Sequence, residues 1–242
     1  MLSIIYEDEG IIVVKKPRGM DAQSSRRFAP DMVSEIRSYL AGKTDIHKLP
    51  TSRTSWEPPY VGVIHRLDKP VQGVMVYGKT QKATAALSAA LQQGKMKKFY
   101  RAVVCGKLVD NQGSYVDYLR QDRKNNRSHI VDKSVENSKK GVLNYNVQKV
   151  IHREEDRDKI YSLVDIELLT GRHHQIRVQF AGHGTPLYGD GCYGGEISTG
   201  NTSLALWAYR LEFPHPVSER QCAFECMPSG GAFDWFSDQG LG

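Results

Sequence analysis

The chain has 242 residues, 40% of them hydrophobic and 25% charged, with a formal net charge of +6. That balance describes a folded protein large enough to bury a real core; it excludes a disordered or collagen-like chain, and no stretch is long and apolar enough to span a bilayer. The basic excess permits a polyanionic partner such as nucleic acid without demanding one.

The start, Met1 to Asp8, is acidic and does not read as a signal peptide. Ile11-Ile12-Val13-Val14 reads as a short strand closed by the turn Lys15 to Gly19, and residues 21–29 read as loose and polar. Met32, Val33, Ile36, Tyr39 and Leu40 recur at helical spacing over Pro30 to Leu40, with Gly42 placed as a stop. Residues 42–59 read as an irregular loop, followed by a polar turn at Asp68 and a strand over Val74 to Tyr77.

Thr80 is placed to cap a helix running to Gln93, with Ala83, Ala86, Leu87, Ala90 and Leu91 facing inward and Gly94 ending it. Phe99 to Val104 alternates as a strand, and the basic segment 110–141 reads as a solvated hairpin or loop. Val142 to Lys149 and Ile160 to Leu169 read as strands. Thr170 is then expected to cap a helix from about Gly171 to Phe180, stopped by Gly182 and Gly184. Leu204 to Phe213 reads as the final strand, and residues 230–242 as a frayed tail that Phe233, Trp235 and Phe236 could anchor. Strands dominate without regular βα alternation, which predicts an α+β fold with a largely antiparallel sheet, in one domain over residues 1–242.

Chemistry-bearing residues fall in three segments. In His65-Arg66-Leu67-Asp68-Lys69-Pro70, a carboxylate stands on a stiff turn with a cation two positions earlier. Such a group serves as nucleophile or general base, and an Asp beside Lys-Pro is equally ordinary turn chemistry. In Thr170-Gly171-Arg172-His173-His174-Gln175-Ile176-Arg177, a helix would put His173 and Arg177 on one face and would offer its N-terminus to an anion. In Lys97-Lys98-Phe99-Tyr100-Arg101, a tyrosine with a lysine-rich approach is suited to core packing or to stacking on a base. No phosphate loop, dinucleotide glycine pattern, nucleophile elbow or paired metal-binding carboxylates occur. The four cysteines are scattered and read as reduced, cytoplasmic thiols; Cys222 and Cys226 lack a second ligand pair and read as packing residues. A cofactor-free reaction carried by one carboxylate is what remains.

Taken in order, these three segments resemble the motifs of the RluA/TruC-type RNA pseudouridine synthases. Ile5 to Gly19, Pro186-Leu187-Tyr188-Gly189-Asp190 and Leu204 to Pro216 resemble further segments of that family. The resemblance implies the pseudouridine synthase fold, a mixed, mostly antiparallel sheet lining a central RNA-binding cleft with few flanking helices. It also implies isomerisation of a uridine in ribosomal or transfer RNA without metal or organic cofactor. Asp68 then matches the essential carboxylate, Tyr100 the tyrosine that packs on the target base, and Arg177 the arginine paired with that carboxylate. Arg66 matches the arginine that enters the RNA stack when a nucleotide is flipped out. His65, Leu67, Arg172, Ile176, Lys97 and Lys98 are carried as substrate-binding residues, Leu67 and Ile176 as walls of the pocket.

The chain departs from the family pattern at Val71-Gln72, where Thr-Ser is usual, at His173, where Thr is frequent, and at Gln179, where His is frequent. These departures bear on substrate choice more than on activity. An N-terminal S4 RNA-binding domain is not expected, which leaves RNA contact to the catalytic domain of a cytoplasmic monomer with no obligate protein partner and no membrane. A non-catalytic RNA-binding or RNA-chaperone protein on the same fold is the alternative, and a base-releasing RNA glycosidase a third reading.

Overall fold

The structure, a computed structural model, describes residues 2–24, 30–43, 58–156, 159–195 and 202–237. Its elements in chain order are β1 (Ser3–Glu7), β2 (Ile11–Lys16), α1 (Met32–Lys43), β3 (Gly62–Val63), β4 (Gln72–Gly78), α2 (Gln81–Gln92), β5 (Lys97–Cys105), β6 (Gln112–Asp122), β7 (Arg127–Val131), β8 (Lys139–Arg153), β9 (Lys159–Leu168), α3 (Gln175–Gly182), β10 (Leu206–Pro214) and β11 (Gln221–Glu225). The many antiparallel strands and few helices make this the α+β fold expected. β11 follows the strand expected to be last. The chain gathers into two compact units, Met1–Met96 with Leu211–Cys226, and Lys97–Arg210 with Met227–Gly242.

In the first unit β2 pairs antiparallel with both β1 and β4. Ile11 to Val14 are all 0% exposed, so the strand is covered on both faces, which is why it reads as an unbroken apolar run. Ile11, Val13, Val74 and Val76 share a core with Ala83 and Leu87 of α2, and Cys222, Phe224 and Cys226 pack against it. Thr80 caps α2 as expected: its hydroxyl accepts from the Ala83 amide at 3.1 Å. Ala86 is exposed, because it lies off the stripe formed by Ala83, Leu87 and Ala90. Asp31 caps α1, its carboxylate accepting from the Ser34 amide, and the helix ends at Lys43, one residue past the expected stop at Gly42.

Gly62 and Gly78 pair across β3 and β4 directly under Thr84 of α2. A Cβ on Gly78 would overlap the Thr84 hydroxyl and approach its backbone nitrogen to 2.9 Å. Gly78→Ala is expected to cost about 1–3 kcal/mol, as overpacking does, read as a lowered urea midpoint with unchanged slope.

In the second unit β5, β9, β8, β6 and β7 lie side by side in that order, each pair antiparallel. The basic 110–141 segment is thus largely the β6–β7 hairpin. Tyr100, Ile166 and Tyr145 stand opposite one another on one sheet face. Phe180 of α3 packs on Tyr145 and Tyr115, so α3 covers that same face. On the other face Val103, Cys105 and Tyr161 form a core with Ala205, Ala232 and Phe236. The last two belong to a short 3-10 helix, Gly231–Phe236, and Trp235 packs on Tyr161 and Tyr188. The aromatic anchors hold residues 231–236 in place of the frayed tail expected there; residues 238–242 lie outside the described residues, as do 25–29 and most of the 42–59 loop.

The helix expected from Gly171 begins only at Gln175. Thr170 is used elsewhere: its hydroxyl accepts from the Val142 amide at 2.8 Å and donates to Gln175 Oε1 at 2.8 Å. The amides of Leu169 and Thr170 both reach the Val142 carbonyl, closing the β8–β9 ladder, and His174 enters α3 with φ 53°. His173 and Arg177 therefore share no helical face, and no helix N-terminus stands at Thr170.

Candidate active site

In the first unit Asp68 is half-buried on the loop between β3 and β4, with Leu67 buried, His65 half-buried and Arg66 exposed. The backbone holds this loop tightly. The Val71 amide donates to the Asp68 carbonyl at 2.9 Å, and the Gly19 amide to the Lys69 carbonyl at 2.9 Å. The Val76 amide donates to His65 Nε2 at 3.3 Å, which ties the loop to β4 and occupies a ring nitrogen of a residue expected to meet substrate. Val71, one of the departures, is a buried core residue, and its neighbour Gln72 begins β4.

Sequence reasoning gave Lys16 no role, yet it is 0% exposed and holds this loop from beneath. Its ammonium donates to the carbonyls of Pro17, Met20 and Lys69, at 3.0, 2.7 and 3.2 Å. Burial pulls Lys16 down to about 8, and the neighbouring Asp21 and Asp68 carboxylates oppose that shift. The one signal in the sequence was a lysine ending a strand that opens with four apolar residues. Lys16→Met removes the donor from three carbonyls and is expected to cost about 1–3 kcal/mol in chemical denaturation.

In the second unit Tyr100 and Lys98 lie two residues apart on β5 and hence on the face that α3 covers. Tyr100 and Ile176 are buried, Lys98 is half-buried, and Lys97 and Arg172 are exposed. Arg177 is buried and bound in a fork by Asp190, Nε to Oδ2 at 2.8 Å and Nη2 to Oδ1 at 2.7 Å. Burial alone would raise the Asp190 pKa, but Arg177 and the amides of Cys192 and Tyr193 outweigh it and hold the carboxyl below its ordinary value. Asp190 stood in a recognised segment, but nothing local in sequence linked it to an arginine thirteen residues before it.

The remaining departures also find partners in this unit. His173 contacts Ser128 Oγ through Nδ1 at 2.9 Å and Asn126 Oδ1 through Nε2 at 3.2 Å, so it ties the turn before α3 to the tip of the β6–β7 hairpin. Tyr193 joins the same tip: its hydroxyl accepts from the Ser128 amide at 2.7 Å and lies 3.0 Å from His174 Nδ1. Gln179 is fully buried and donates to Asp117 at 2.7 Å.

Residues 10–182, a span that includes Asp68, Tyr100 and Arg177, match the family model described as RNA pseudouridylate synthase. The chain belongs to the RNA pseudouridylate synthase family. Among curated relatives, an uncharacterized RNA pseudouridine synthase of Aquifex aeolicus is 31% identical over 233 residues, covering 93% of this chain and 68% of that protein. The ribosomal large subunit pseudouridine synthase D of Neisseria meningitidis is 31% identical over 236 residues, covering 93% of this chain but 57% of its own length. The chain thus spans between somewhat over half and two thirds of the curated family members it matches. Among solved structures, human RNA pseudouridylate synthase domain containing 1 superposes with a TM-score of 0.72 at 20% identity, over 95% of this chain and 84% of that one, which supports the family fold.

Proposed function

We propose that this protein isomerises a specific uridine of RNA to pseudouridine, with Asp68 as the essential carboxylate and Tyr100 and Arg177 as its partners in the reaction. The observation that carries the reading is the family match across residues 10–182, which takes in all three. The loop geometry supports it, since a carboxylate that must meet a ribose or a base at a defined angle gains from a backbone anchored at its own carbonyl and at that of the next residue. The N1–C1′ bond of the nucleotide breaks, C5–C1′ forms, N1 gains a proton and C5 loses one. Bond cleavage builds oxocarbenium character, which a carboxylate stabilises or traps. Tyr100 packs on the base, Arg66 fills the stack the nucleotide leaves, and the target uridine is extruded to reach Asp68.

Ribosomal RNA is the proposed substrate class ahead of transfer RNA, because relatives such as the Neisseria protein carry a ribosomal large subunit activity in their names. The protein acts without cofactor, as a cytoplasmic monomer. RNA labelled with tritium at uridine C5 tests the reaction: the proposed isomerase releases tritium to water and leaves RNA mass unchanged apart from the label. A non-catalytic RNA binder releases none, and a glycosidase lowers the mass by uracil. Pseudouridine mapping of total RNA from cells with and without the gene names the position.

A further inference from the structure

Lys98 and Arg172 form an arrangement that the fold alone does not call for. Lys98 is half-buried on β5, and Arg172 stands in the turn that leads into α3. The Lys98 ammonium reaches the backbone of this turn: a Cβ on Gly171 would lie 3.3 Å from Nζ. Arg172 is fixed rather than waving, since its Nε donates to the Lys140 carbonyl at 3.0 Å and its amide to Gln175 Oε1 at 3.0 Å. Burial lowers the Lys98 pKa, and the Arg172 charge lowers it further, so the two cations feel each other. Among the described residues neither has a carboxylate within salt-bridge distance. Two like charges held together on anchored backbone are unfavourable until an anion arrives between them.

The spacing says which anion. Lys98 and Tyr100 are two positions apart on one strand face, about 6.6 Å at 3.3 Å per residue. That matches the reach from a base stacked on Tyr100 to a phosphate of the same or the adjoining nucleotide. We propose that Lys98 and Arg172 clamp one RNA phosphodiester beside the nucleotide that rests on Tyr100. The inference rests on the RNA-modifying reading above and adds to it a single phosphate contact shared by two cations.

The test is the salt dependence of binding to a short single-stranded oligouridylate, for the wild type, Lys98→Met, Arg172→Gln and the double variant. Each phosphate contact on a single strand contributes about 0.7 to the slope of log K against log salt. A shared clamp predicts weaker binding for each single variant and a slope reduced by about 0.7 in the double variant. An unchanged slope, or a loss of about 1.4 from two separate phosphates, overturns it, and so does a wild type that does not bind the oligonucleotide. Lys98→Met keeps the apolar stem and removes the charge facing Arg172, so its melting temperature should hold or rise; a fall would make Lys98 a structural residue and overturn the clamp. Tritium release separates the two readings. Release with an unchanged slope sinks the clamp alone, and a wild type without release sinks the pseudouridine reading while the slope still judges the clamp.

Discussion

Asp68→Asn should abolish pseudouridine formation, by at least about a thousandfold in rate, or about 4 kcal/mol of lost transition-state stabilisation. The substitution keeps the shape of the side chain and removes its charge and nucleophilicity. It should leave the loop's anchors in place: the bonds from the Val71 amide to the Asp68 carbonyl, and from the Gly19 amide and the Lys16 ammonium to the Lys69 carbonyl, do not use the carboxylate. RNA binding should therefore survive while tritium release stops. Appreciable residual release by Asp68→Asn would sink the assignment and turn the search to another carboxylate.

Asp190→Asn should be the most damaging change to stability in the second unit, at about 3–5 kcal/mol in chemical denaturation, because it leaves the buried Arg177 charge uncompensated. The Asp190 side chain is 0% exposed and that of Arg177 8%, so water offers little substitute. A pH dependence accompanies this. Asp190 has a depressed folded pKa, so its contribution is fully present above the unfolded value of about 3.9 and is lost as pH falls through the folded value. The wild type should accordingly lose stability in acid more steeply than Asp190→Asn. Equal acid profiles would show that Asp190 contributes no such linkage. Arg177→Ala removes the other half of the pair and should cost activity heavily, with Arg172 taking over the proposed role if the rate stays near normal.

Much of the fold was legible along the chain. The run Ile11 to Val14, the alternation of Phe99 to Val104 and the Thr80 cap each depend on neighbours within a few residues, and each element formed where the pattern placed it. Thr170 misled because a residue suited to starting a helix was given another task, whereas α1 runs only one residue past the expected stop at Gly42. Thr170 completes the β8–β9 ladder through Val142. The departure at His173 was visible, but its bonds to the β6–β7 hairpin were not, since Asn126 and Ser128 lie more than forty residues earlier.

The sequence by itself determined the strand-rich class, the turn carrying Asp68 and the order of motifs that marks the family, because periodicity, Pro and Gly act locally. Only the tertiary structure decided that Lys16 is a buried anchor of the Asp68 loop, that Arg177 is forked to Asp190, and that Lys98 reaches Gly171 beside Arg172. A charged side chain is solvated in the extended chain whatever its neighbours. Its role is set when folding strips that water and leaves whichever carbonyl, carboxylate or cation the distant strands have brought beside it.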